Sequence, residues 1–332
     1  ERELAVRVRD DWPVFVAGVA ADLDYWCGEL RPGSERFGGE EVGRFGAGLD
    51  ERLREIEGWP RIGRALRSAL ETAAVDLLAG AAGLSVAAFL ASGARPRVPL
   101  NGLLGIDTPD AVARAAAALS EAGFECLKLK GGREQPMLLA ERVRAVRAAV
   151  GPAVRLRLDV NGAWSGQTEA IEAIEAVAPF DLEYVEQPLP PELGPGALAT
   201  LRRAVSVPLA ADESVTDPEA ALVLLEAGAA DVLAVKPARV GGLWQARRIA
   251  DLAAASGVPI VVSTLFETGI GVAAALHLAA TLDDGGRAHG LATAGLLASD
   301  LLAAPLPIVD GSMTLPSGPG LGVRLDPVAV ET

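Results

Sequence analysis

Residues 124–132 read FECLKLKGG, and the fold turns on which way Lys128 and Lys130 point. In a strand, alternate side chains share a face, so the two ammonium groups lie on one side and Leu127 and Leu129 on the other. Taken alone, the stretch reads as an edge strand with a solvated lysine face, a common guard against edge-to-edge aggregation. Lysine is seldom buried without a partner. The surrounding sequence decides between that reading and a strand whose lysines face an interior.

From residue 96 onward one pattern repeats: a short strand, a polar or glycine-rich turn, then a helix of Ala, Leu, Arg and Glu. The strand candidates are RVPLNGLL, ECLKLK, AVRLRLDV, LEYVEQP, VPLAADE, DVLAVKP, PIVVST and AHGLAT, eight in all. Helices are predicted at 110–122, 137–150, 168–177, 217–227 and 243–256. Gly123, Gly151, Gly228 and Gly257 follow four of them, where a left-handed residue ends a helix. TPDA and TDPEA supply a cap residue and an early proline at two helix starts.

Eight strands alternating with helices predict an α/β fold of the TIM-barrel type rather than an open doubly wound sheet. No G-x-G-x-x-G follows the first strand, so a dinucleotide-binding reading lacks its phosphate loop. A closed barrel has no edge, which weakens the solvated reading of Lys128 and Lys130. Residues 1–95 differ in texture: ELAVRVR at the start, polar loops, then helices near 51–57 and 62–80. They read as a separate α+β unit, completed by residues 306–332, with the barrel at 96–305.

The 332-residue chain carries a formal charge of −14, which argues against nucleic acid or an anionic membrane as partner. Cys27 and Cys126 have no metal-type spacing and read as core thiols of a reducing compartment. Residues 1–15 mix charges of both signs without an apolar core, giving no signal-peptide reading and an expected cytoplasmic location. The weakly charged run 259–282 contains strand-like PIVVST, the breaker TGIG and a helix, not a membrane span.

Acidic residues end three consecutive strands: Asp159, Glu186 and Asp212, spaced 27 and 26 residues apart, about one β/α unit each. In phase, they converge at one side of the barrel mouth, and hard oxygen donors of this kind suit Mg²⁺. Asn161 and Glu213 stand beside them as groups that orient the ligands. Lys128 and Lys130 on the second strand and Lys236 on the sixth flank the acids. A lysine held near other cations and partly desolvated has a lowered pKa and can act as a base near neutral pH.

The order K-x-K, D-x-N, E-Q-P, D-E and K-P-x-x-x-G-G resembles the enolase superfamily, in its muconate cycloisomerase subgroup, over about residues 68–304. The resemblance implies a modified (β/α)7β barrel with an N-terminal α+β capping domain. It also implies one Mg²⁺, with Mn²⁺ as a substitute, held by Asp159, Glu186 and Asp212. The family abstracts a proton α to a carboxylate, giving an enediolate stabilised by the metal. The implied partner is a small-molecule carboxylate, and the chain is expected as a monomer or homo-oligomer. Neither His277 nor His289 sits where a His-Asp base would.

Within the subgroup, Leu291, Ala292 and Thr293 stand where dipeptide epimerases generally carry Asp-x-Asp for the substrate ammonium. VVSTLFETGIG resembles the S-S-x-x-E-[ST] stretch of o-succinylbenzoate synthases, which implies substrate contacts by Ser263, Thr264 and Glu267. The same resemblance assigns Lys130 as base and acid, Lys128 as its electrostatic support and Lys236 as a cation across the substrate ring. N-acylamino acid racemase, dipeptide epimerase and muconate cycloisomerase activities use the same scaffold and stay open. Trp26, Arg36 and Phe37 read as loop or packing residues, as do Trp164 and Trp244. Gly241 and Gly242, with Arg239 as their one basic neighbour, do not read as a phosphate cradle.

Overall fold

The structure is a computed structural model that describes residues 59–331 and the single position 48. The readings placed on ELAVRVR, on a helix at 51–57, and on Trp26, Cys27, Arg36 and Phe37 lie outside the described residues. Helices α1 (Trp59–Ala81) and α2 (Val86–Leu90) lead into strand β1 (Arg97–Pro99). Seven strand and helix units follow. They run β2 (Gly102–Leu104), α3 (Pro109–Glu121), β3 (Cys126–Lys130), α4 (Pro136–Val150), β4 (Arg155–Asp159), α5 (Gln167–Val177), β5 (Leu182–Glu186) and α6 (Gly194–Ala204). They continue through β6 (Leu209–Ala211), α7 (Pro218–Glu226), β7 (Val232–Val235), α8 (Pro237–Val240), α9 (Leu243–Ala255), β8 (Ile260–Val262) and α10 (Gly269–Ala280).

β2 to β8 form one seven-stranded sheet in sequence order, every pairing parallel. The boundaries of α3, α4, α5, α7 and α9 agree with those predicted to within a residue or two, for reasons visible in the caps, whereas α1 starts three residues before the predicted 62–80 and α10 takes the glycines of TGIG into its first turn, with Thr268 before it. Thr108 and Asp217 accept hydrogen bonds from the amides of Ala111 and Ala220, and each is followed by proline. Gly123 ends the α3 unit at φ +88°, and a Cβ there would come within 2.5 Å of the Asp310 backbone. Leu127 and Leu129 point outward and, with Val143 and Val146 of α4, line the seam between sheet and helix. Burying each stabilises the fold by roughly 1.5–3 kcal/mol.

Two predicted strands differ from expectation. RVPLNGLL is two strands: β1 leaves the barrel and pairs antiparallel with β10 (Ser312–Thr314), which in turn pairs with β9 (Ile308–Val309). AHGLAT makes only single bridges, Leu100 with His289 and Ser263 with Gly290. Those bridges still close the sheet on itself. His289 bonds Pro99 and Asn101 on one side, while Gly290 donates to Val262 and accepts from Thr264 on the other.

Side chains compensate for that short pairing. Inside the barrel the fully buried Arg157 donates to Ala288 O at 2.9 Å, to Asn101 Oδ1 at 3.2 Å and to Glu183 Oε2 at 2.6 Å. Its guanidinium lies 4.8 Å from the centre of the Tyr184 ring. Outside, the buried Asp284 takes Arg95 and His289 Nε2, while His289 Nδ1 accepts from Val262 N at 2.9 Å. His289 is thus paired with an acid, but as a latch on the closing segment; it does not line the mouth cavity. His277 likewise ties elements together, accepting from Ala87 N and contacting Leu321 O. Cys126 is buried as expected, and burial pushes its thiol up to about 11. Among the described residues no helix is long and apolar enough to cross a membrane.

The latch has a testable pH signature. Burial alone would raise the Asp284 carboxyl, but His289 and Arg95 hold it well below the usual carboxylate range. A depressed pKa contributes stability that is full above the unfolded value near pH 4 and fades as the pH falls below it. Asp284→Asn is expected to cost about 3 kcal/mol at pH 7, the order seen when one partner of a buried pair is removed. Urea unfolding at pH 7 and pH 3 should show the gap between variant and wild type narrowing in acid.

Candidate active site

The parallel register brings the predicted charges level. Lys130 pairs with Asp159 across β3 and β4, and Asp159 with Glu186 across β4 and β5, so the three lie in one row at the C-terminal rim. Asp212 follows β6 and Lys236 follows β7 at the same end of the sheet. Asp159, Glu186 and Asp212 are at most 1% exposed.

Each acid turns its oxygens to a cation. Lys128 Nζ donates to Glu186 at 2.9 and 3.1 Å and stands 3.1 Å from Asp159 Oδ2. Lys130 Nζ donates to Asp159 Oδ2 at 2.6 Å and to Asn161 Oδ1 at 2.8 Å. Lys236 Nζ and Arg239 Nη1 hold the two oxygens of Asp212 at 2.5 and 2.7 Å. Asn161 Nδ2 donates to Glu213 Oε1 at 2.9 Å, joining the two predicted orienting residues. Behind the lysine strand, buried Arg142 donates to Lys130 O at 2.8 Å and pairs with Glu134, which fixes the turn after β3.

The electrostatics follow from this pairing. Burial would lower the Lys128 pKa, but Glu186 and Asp159 outweigh it and push it well above the ordinary lysine value. The expected lowering of a lysine pKa by neighbouring cations is therefore reversed at Lys128, because its nearest neighbours are carboxylates. Burial would raise Asp159 also, and Lys128 and Lys130 hold it well below the carboxylate range. Glu186 goes the other way. Burial, then Asp159 and Asp212, push it up to about 7 against the pull of Lys128 and Lys236.

Lys128, Lys130, Lys236 and Arg239 all line a cavity of about 410 Å³ at the mouth. Its far wall is neutral, with Ser263, Thr264, Gly290 and Thr293, and its rim is apolar at Leu103 and Phe266. Thr264 and Thr293 share a hydroxyl bond of 2.7 Å. Ser263 and Thr264 thus line the cavity. Glu267 is not on the lining: its Oε1 accepts from Leu265 N at 3.0 Å and braces the loop that carries Phe266. Trp164 is buried core, as expected. Gly242, at φ +130°, leaves room for the carboxylate of Glu71 on α1, which accepts from Trp244 N at 2.7 Å. Arg239, Asn101 and Thr293 escaped the sequence reading as site residues. Arg239 stands three residues after Lys236, but the Asp212 it holds lies 27 residues away in sequence.

Among the described residues no three acidic, histidine or cysteine side chains close around a common point for a metal. The ammonium and guanidinium groups already occupy their oxygens. The donor set nonetheless fits a hard divalent cation in kind: three buried carboxylates, one of them, Glu186, too short of positive charge to stay acidic.

This barrel and its charged rim define a class. The sequence matches the family described as Enolase C-terminal domain-like over residues 110–329, and the chain belongs to the enolase superfamily. It is 32% identical over 286 residues to muconate cycloisomerase 1-1 of Acinetobacter lwoffii, covering 86% of this chain and 74% of that one. It is 41% identical over 217 residues to the o-succinylbenzoate synthase of Thermobifida fusca, covering 65% of this chain and 66% of that enzyme. The structure superposes on a dipeptide epimerase of Enterococcus faecalis complexed with Mg and a dipeptide. That comparison has a TM-score of 0.76 and 30% identity, over 84% of this chain and 78% of the other.

Lys128 carries two buried carboxylates, so Lys128→Met should destabilise the metal-free protein by about 3 kcal/mol. Urea denaturation in the presence of a chelator measures it. A loss below 1 kcal/mol would mean that the carboxylates find other compensation.

Proposed function

We propose that this chain is an o-succinylbenzoate synthase, dehydrating 2-succinyl-6-hydroxy-2,4-cyclohexadiene-1-carboxylate to o-succinylbenzoate in menaquinone biosynthesis. The observation that carries the reading is Lys130. It is the more exposed lysine of its strand, 31% against 8% for Lys128, and it opens into the cavity from the strand's C-terminal end. Its position suits transfer of the α-proton, while Lys128 behind it stays charged. The synthase match at 41% identity over 217 residues supports this choice, beside a muconate cycloisomerase match at 32% over a longer stretch of 286 residues. The wall at Ser263, Thr264 and Thr293 is neutral, and the one acid among the described lining residues, Glu213, accepts from Asn161 Nδ2 on the side of the barrel that carries Asp159 and Asp212.

In this reading Lys130, as the free amine, takes the α-proton, and the electron pair spreads into the substrate carboxylate. The resulting ammonium then delivers the proton to the departing hydroxyl on the same face, releasing water and leaving an aromatic ring. Lys236 and Arg239, anchored on Asp212, present positive charge to the anionic ring system from the opposite strand. Asp159, Glu186 and Asp212 would hold Mg²⁺, with Mn²⁺ as a substitute, and Asn161 and Glu213 would orient them. Mg²⁺ would supply fixed positive charge beside the substrate carboxylate. Residues 1–95, completed by 306–332, are proposed to cap the barrel of residues 96–305.

A second reading rests on one further observation: Lys130 and Lys236 line the same cavity, as two bases for proton transfer at one carbon would. It gives an N-acylamino acid racemase or dipeptide epimerase; muconate cycloisomerisation uses the same parts.

Purified protein with Mg²⁺ is expected to consume the cyclohexadiene substrate, followed by its loss of absorbance. Failure to do so, with racemisation of N-succinylamino acids or dipeptides instead, would replace the first reading by the second. Lys130→Ala should abolish turnover, and appreciable residual rate would mean that another group is the base. Asp212→Asn should weaken Mg²⁺ binding in calorimetry by at least about tenfold, on the scale expected for changes around a metal site.

A further inference from the structure

We infer that Gln187 is a positioning residue that fixes the three acid-bearing strand ends relative to one another and thereby sets Mg²⁺ affinity; the inference rests on the metal reading above. Gln187 follows Glu186 directly, is 1% exposed and sits at φ +42°. A left-handed conformation is unfavourable for a non-glycine residue and persists only where the surroundings enforce it. Among the described residues only four non-glycine positions have positive φ, and the other one beside this site is Asn161, in the loop of Asp159.

The surroundings of Gln187 are specific. Its side-chain oxygen accepts from the amides of Asp212 at 3.0 Å and Ser214 at 3.1 Å. Its side-chain nitrogen donates to Leu189 O at 2.7 Å and Ser214 Oγ at 2.9 Å. A primary amide has two donors and two lone pairs, and all four are used. Its backbone N–H donates to Ala210 O at 2.8 Å, and its carbonyl accepts from Gly162 N at 2.7 Å. One residue therefore ties together the segments that follow Asp159 at the end of β4 and Glu186 at the end of β5 and the turn after β6 that carries Asp212. It catches Asp212 by its own amide. A glutamine serving only to fill buried space would not need to reach the backbone of the next acid-bearing strand end.

The test uses the full chain and two variants, Gln187→Met and Gln187→Glu, with Mg²⁺ binding by calorimetry and thermal unfolding in a chelator. Methionine keeps the volume and loses every side-chain hydrogen bond; glutamate keeps the oxygen that holds the Asp212 and Ser214 amides. The methionine variant is expected to bind Mg²⁺ about 10- to 100-fold more weakly, the range for residues that orient metal ligands. The glutamate variant should recover most of that loss, even if its melting temperature is no higher. A folded methionine variant that binds Mg²⁺ within about twofold of wild type would overturn the role of Gln187 alone. Wild-type protein that takes up no Mg²⁺ would remove the metal reading and this inference together. If the methionine variant does not fold, the glutamate variant decides: binding within about threefold of wild type supports the role, and a loss beyond about tenfold in folded protein overturns it.

Discussion

Charge cannot be buried in a protein interior without a partner, and the upper half of this barrel is organised around that constraint. Lys128 is almost wholly enclosed, and it is tolerated because Glu186 and Asp159 stand within 3.1 Å of its nitrogen. That contact requires β3, β4 and β5 to run level. A slip of one residue would turn the lysines outward among the leucines and leave two acids unpaired in the core. The pairing therefore specifies register as well as hosting chemistry. Lys130, Lys236 and Arg239 extend the same logic around the rim, each neutralising a buried carboxylate oxygen of Asp159 or Asp212.

The two ends of the barrel divide the labour. At the C-terminal rim the polar groups face a cavity, and the backbone adopts left-handed φ at Asn161 and Gln187 beside the acids. Below it, Tyr184, Ala210, Val232 and Val261 form an apolar plug beneath the site. The closing segment has few strand hydrogen bonds, and buried charged groups add to them: Arg157 donates to Ala288 O from inside, and Asp284 holds Arg95 and His289 from outside. The His-Asp pair is thus a structural fastening, because its imidazole is spent on Val262 N and its carboxylate on a guanidinium.

Much of this was legible beforehand. Thr108, Asp217 and the glycines after helices mark boundaries through local backbone preferences, which do not depend on distant contacts. The spacing of Asp159, Glu186 and Asp212 shows through because each β/α unit has nearly the same length. Gln187 and Arg239 stayed hidden for the opposite reason. Their partners lie 25 and 27 residues away, and nothing local distinguishes a glutamine that clamps a neighbouring loop from one in solvent. Glu267 looked like a substrate ligand by resemblance, yet its carboxylate closes a local loop.

By itself the sequence determined the repeating strand and helix units, the placement of acids and lysines at strand ends, and the family those motifs belong to. Local propensity and periodicity encode all of these. Only the tertiary structure decided that Lys128 is a buried, strongly basic cation and Lys130 the accessible one. It also decided that the eighth strand is reduced to a pair of bridges. Those outcomes depend on which oxygens come within hydrogen-bond reach once the sheet curls, and electrostatic energy in a buried site is set by distance rather than by sequence position.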